Sequence, residues 1–141
     1  MQTAVKIILS AGLVLNACTA YADVVVVVVS AKSSVQGLTA DQVSQIFLGK
    51  TNTFPDGTVV VPLDQADNAA ERNAFYAKVT GKDPMQLKSY RSKLIFTGKG
   101  QPPKELPGNS EVKKAVASDP AAIGYIDKGA VDSSVRVVLT P

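Results

Sequence analysis

Arg72 is the charged residue whose position asks for an explanation. Arg72, Phe75, Tyr76 and Val79 are spaced i, i+3, i+4, i+7, so a helix carrying them places a guanidinium on its apolar face. The residue also falls in an early turn, where the helix dipole disfavours a cation. Compensation must come from an anionic ligand, or from Asp64 or Asp67 in an internal ion pair. The planar fork of Arg suits bidentate contact with carboxylate and phosphate alike. Asp67 as a helix cap would occupy the amides that would otherwise hold an anion, and would repel a dianion. Asp64 can accept a hydrogen bond from a protonated phosphate, bind a cation, or pair internally.

The run Ser30-Ala31-Lys32-Ser33-Ser34 offers three hydroxyls, a cation and free backbone amides. It follows a predicted strand, and open α/β folds place ligands at the carboxyl ends of strands. The alternative is a solvated polar loop. The expected oxyanion site therefore comprises Ser30, Lys32, Ser33 and Ser34 with Arg72, and Asp64 at its rim, all brought to one edge of the sheet. Covalent chemistry is restricted. The chain has no His and one Cys, which excludes a His-assisted triad, a His-ligated metal, a zinc finger and an internal disulfide. Lys32 with Ser34 is the only nucleophile arrangement left, and neighbours on a loop rarely hold attack geometry. The expectation is a binding protein rather than an enzyme, with no cofactor and no metal. Formal net charge is +3 with the cations scattered, whereas a nucleic-acid footprint needs a dense basic stripe. The loop Lys99–Lys104 carries two cations on a Pro-Pro turn and reads as a surface loop or a partner surface.

Positioning these residues requires a sheet. Val24–Val29 is a valine run without alternation, which predicts a strand buried on both faces. Thr39-Ala40-Asp41-Gln42 is a capping-box pattern opening a helix that Gly49 ends. Thr58–Leu63 reads as a second buried strand. A second helix runs from Asp67 or Asn68 to Thr80. Asp83-Pro84 opens a third, with Leu87, Tyr90 and Leu94 as its apolar stripe. Gly98–Gly108 reads as a loop. Asn109 or Ser110 caps a fourth helix, and Ala122–Ile126 and Val135–Leu139 are short strands. The order βαβαααββ implies helices on both faces of a mixed sheet. The motif I-F-x-G-K occurs twice, at Ile46–Lys50 and Ile95–Lys99, and reads as two helix ends built alike.

The N-terminus predicts an address rather than a fold. Lys6, an apolar stretch from Ile7 to Ala17 and an A-x-A site at Ala20-Tyr21-Ala22 form the pattern of a signal peptide over residues 1–22. Residues 23–141 then form one exported, periplasmic domain. Leu15-Asn16-Ala17-Cys18 is a competing lipobox-like pattern, in which a lipidated Cys18 would anchor the chain to a membrane.

The segment "LTADQVSQIFLGK" at Leu38–Lys50 and "AIGY" at Ala122–Tyr125 resemble segments of the substrate-binding proteins of phosphate ABC transporters. Between them "VVPLDQ", Arg72 with Phe75-Tyr76, and "IFTGKGQPP" follow a similar layout. The resemblance implies a type II periplasmic-binding-protein-like fold, a small oxyanion such as phosphate as ligand, and a transporter permease as partner. Full-length members have two lobes, and this chain has room for one. Members also hold phosphate on a Ser-Gly-Thr-type stretch at a helix N-terminus. The matching region here, Leu63–Asn68, has no Ser, Thr or Gly.

Overall fold

In the computed structural model, residues 24–141 are described, so the expected signal peptide and Cys18 lie outside the described residues. The valine run does form a strand, β1 (Val25–Ser30), with every residue buried. It lies inside a five-stranded sheet. The other strands are β2 (Val61–Gln65), β3 (Lys104–Leu106), β4 (Ala122–Asp127) and β5 (Val135–Leu139), in the order β3-β2-β4-β1-β5. Four helices cover it: α1 (Ala40–Phe47), α2 (Ala70–Thr80), α3 (Pro84–Phe96) and α4 (Asn109–Ser118). Val25, Val27 and Val29 enter the core beneath α1 to α3, while Val26 and Val28 pack with Val112 and Val116 of α4. Two covered faces explain why the strand shows no polar alternation. Among the described residues no helix is long and apolar enough to cross a membrane.

Local sequence sets the helix ends. Thr39 and Gln42 exchange both bonds of a capping box, and Asp83 and Gln86 build a second one ahead of Pro84. Both I-F-x-G-K motifs close helices in the same way. Gly49 and Gly98 adopt φ of 74° and 64°, and Lys50 and Lys99 donate their amides to Gln45 O and Leu94 O. Left-handed residues at helix ends favour glycine.

Gly108 precedes α4 without a side-chain cap, so neither Asn109 nor Ser110 caps that helix, and three further expectations need correction. The second strand begins at Val61 and continues to Gln65, while Thr58 and Val59 are exposed and Val59 makes an isolated antiparallel bridge with Thr53. The second helix starts at Ala70, because a turn from Ala66 O to Ala69 N takes up the polar residues that resemble caps. The stretch read as the Gly98–Gly108 loop contains β3, which pairs in parallel with β2 at the sheet edge. The order is therefore βαβααβαββ, still a mixed sheet flanked by helices.

Candidate functional site

Asp64 organises one end of the sheet. It sits near the carboxyl end of β2 and is 1% exposed. Tyr76 of α2 donates its hydroxyl to Asp64 Oδ2 at 2.7 Å, and Tyr125 of β4 donates to Oδ1. The Gln65 amide donates to Oδ1 at 2.9 Å. Arg91 Nη2 lies 3.5 Å from Oδ2 and also donates to the Tyr76 hydroxyl, while Arg72 Nη1 lies 3.9 Å from Oδ2. A buried carboxylate is tolerable only with such partners. Burial pushes both phenols up, Tyr76 and Tyr125 alike, and the negative charge of Asp64 adds to it.

Arg72 is a hub above this network. Its Nη1 donates to Gln65 O at 3.0 Å and to Glu105 Oε1 at 2.8 Å, and lies 3.0 Å from Asp67 Oδ1. Burial works against its charge, but the Glu105 hydrogen bond and the Asp64 charge outweigh it and hold the guanidinium above its usual range. Its apolar neighbours follow from the helical spacing. Phe75 stacks on Tyr125 with ring centroids 4.1 Å apart, and Phe47 meets Phe75 edge-on at 4.8 Å. These rings fix the helix face that presents Arg72 and Tyr76 to the sheet.

A cleft of about 360 Å³ opens beside the two guanidiniums, between α2 and α3. Arg72, Tyr76 and Arg91 line it, with Lys82, Lys88 and Glu105 also contributing. Arg91 is 8% exposed, and its Nε has no hydrogen-bond partner. The arrangement offers four cations to an incoming anion, opposed by Glu105 and Asp67 at the rim. Among the described residues no group of acidic, His or Cys side chains is arranged to hold a metal ion.

The expected site is divided by the sheet. Asp64 and Arg72 do come together. The Ser30–Ser34 loop does not join them, because β1 runs antiparallel to β4 while β2 runs parallel to it. The carboxyl end of β1 therefore lies at the opposite end of the sheet from Gln65. There the loop's hydroxyls serve the backbone: Ser30 Oγ donates to Ala117 O and accepts from the Lys32 amide, and Ser33 Oγ accepts from the Val35 amide. Ser34 donates to Asp56, Lys32 is exposed, and Arg136 holds the carbonyls of Ala31, Ser33 and Val35. Asp67 is no cap: α2 is preceded by Ala69 without a side-chain cap, and Asp67 is an exposed partner of Arg72.

Sequence reasoning missed Arg91 and Glu105. Arg91 carried the same signal as Arg72, since it is four residues after Leu87 on the apolar stripe of α3. Glu105 carried none, lying in a three-residue strand flanked by prolines.

No protein-family profile matches this sequence, and no curated protein matches it. Solved structures do match its fold. A protein assigned as a phosphate ABC transporter substrate-binding protein, with bound phosphate, from Clostridium perfringens is 23% identical, with a TM-score of 0.66, over 82% of this chain and 44% of that one. An ABC-type phosphate transport receptor from Vibrio cholerae is 19% identical, with a TM-score of 0.65, over 82% and 45%. PstS from Borrelia burgdorferi is 12% identical, with a TM-score of 0.59, over 82% and 46%. The likeness is one of fold, and it is the fold that the sequence resemblance implies. This chain spans less than half the length of each neighbour.

Proposed function

We propose that the chain is an exported solute-binding module and that the cleft between α2 and α3 takes phosphate or a related small oxyanion. One observation carries this reading: Arg72 and Arg91, each nearly buried, converge on an open cleft rimmed by Lys82 and Lys88. Their charge exceeds what Asp64 alone neutralises. The fold likeness to phosphate-binding transport proteins supports the ligand class. On this reading a transporter permease is the partner and the periplasm is the compartment. The Leu63–Asn68 region lacks the Ser-Gly-Thr donors, so binding rests on guanidinium and ammonium groups. A cleft open to water screens those charges, and affinity falls between about millimolar and micromolar.

The test is calorimetric titration of phosphate and of sulfate at low and moderate salt, beside Lys88→Ala. Binding that weakens with salt and in the variant supports the cleft. A specific observation favours a second reading, a one-lobe protein–protein or envelope interaction module. Arg72 is already engaged by Glu105, Asp67 and Gln65 O, and Arg91 by Asp64 and Tyr76. No heat and no melting shift at about 10 mM of either anion, where a millimolar ligand must stabilise the native state, selects that module.

A further inference from the structure

The two I-F-x-G-K motifs share their backbone geometry and differ in what they bury. In the first, Ile46 is 2% and Phe47 0% exposed. In the second, Ile95 is 58% and Phe96 92% exposed. The same helix end is thus used once to close the core and once to hold an apolar pair out to solvent. Cations flank the second copy along the chain. From Lys82 to Lys104 the chain carries Lys82, Lys88, Arg91, Lys93, Lys99 and Lys104 against the single anion Asp83. The other described residues carry more carboxylates than cations. Lys93 lies one helical turn before Phe96 on the same face. Lys99 is fixed beside it by the bonds from Gly98 N to Ile95 O and from Lys99 N to Leu94 O.

We propose that this tip of α3 docks on an anionic lipid surface, with Phe96 and Ile95 entering the headgroup region and Lys93 and Lys99 meeting the phosphates. Charge complementarity and the shape of the apolar surface favour lipid over a folded partner. A stable protein interface buries about 800 Å² per partner around a packed core. Here the next exposed apolar side chain on the helix, Met85, lies about 16 Å away along the axis, with Ser89 and Ser92 between. Two protruding apolar groups flanked by Lys93 and Lys99 suit a fluid anionic interface, where lysine stems lie against apolar surface. The inference is separable from the oxyanion reading: Ile95 lines the cleft, whereas Phe96, Lys93 and Lys99 do not.

The protein contains no Trp, so Phe96→Trp introduces a single reporter at an exposed position. Residues 24–141, whose sheet carries cores on both faces, are mixed with vesicles of phosphatidylcholine alone or with one-third phosphatidylglycerol. Expected are co-sedimentation with the anionic vesicles only, a blue shift of the introduced indole's emission on binding, and weakening with salt. Each of Lys93→Glu and Lys99→Glu should cost at least about fivefold, with circular dichroism unchanged. Unshifted emission, equal binding to neutral vesicles, or loss of vesicle binding to phosphate beyond that caused by chloride of equal ionic strength would each overturn the proposal. The last result would place the headgroup in the cleft instead.

Discussion

Arg72 and Glu105 join α2 to the edge strand β3 through a 2.8 Å hydrogen bond. Glu105 is half exposed, so the pair contributes at most about 1 kcal/mol to stability. On the proposed reading its larger effect is on the cleft, where it holds the guanidinium that an oxyanion would meet. Glu105→Gln should raise phosphate affinity about fivefold with little change in melting temperature. Calorimetric titration checks this; a lower affinity would mean that Glu105 orients Arg72 rather than competing for it.

Asp64→Asn should be among the most damaging isosteric changes in the molecule. It leaves Arg72 and Arg91 buried beside a neutral amide and replaces the acceptor of one of two phenols by an NH2 donor. Breaking a buried charge network from one side costs about 3–5 kcal/mol. Tyr125→Phe removes one donor and should cost about 1–3 kcal/mol. Urea denaturation with unchanged slope separates the two, and equal midpoints would show that Asp64 carries no more than a neutral hydrogen bond.

Gly124 in the "AIGY" strand is needed for packing. A Cβ there would lie 2.5 Å from Val112 Cγ1 and 3.2 Å from Val116 Cγ2, both buried in α4. Gly124→Ala should cost about 1–3 kcal/mol by forcing α4 off the sheet. Gly124→Ala with Val112→Ala should recover part of that loss, which thermal unfolding of the single and double variants would read.

The two buried phenols make the fold sensitive to alkali. Their folded pKa values lie above the ordinary value of 10.0, so the folded state retains these protons longer than the unfolded chain does. The stabilisation is present below about pH 10 and is lost as pH rises, since the unfolded state alone ionises there. Each phenol steepens the decline by about 1.4 kcal/mol per pH unit. Denaturation midpoints between pH 9 and 11 test this, and Tyr76→Phe should flatten the slope by one proton.

The valine strand was legible because β-branched residues without alternation have one structural meaning, and both capping boxes because their spacing is local. Strand direction was not. An apolar run reads the same in either sense, so nothing in Val25–Ser30 reveals that it opposes β2 and carries the Ser30–Ser34 loop away from Arg72. Edge strand β3 was invisible because its pairing is made by backbone groups beneath largely exposed side chains. The Asp64 network was half visible: Arg72 and Asp64 stood out as charges near apolar positions, while Tyr76 and Tyr125 looked like plain core.

The pairing of β1 with β5 has a mechanical side. Val27 faces Leu139 and Ser30 faces Val135, so Val25 and the residues after Leu139 emerge next to each other at the Asp64 end of the sheet. Tension applied through these two points peels the antiparallel ladder open one rung at a time. Tension between Val25 and Val135 loads every rung together. The β1–β5 pair therefore yields easily when pulled at Val25 and beyond Leu139, and resists when gripped at Val25 and Val135.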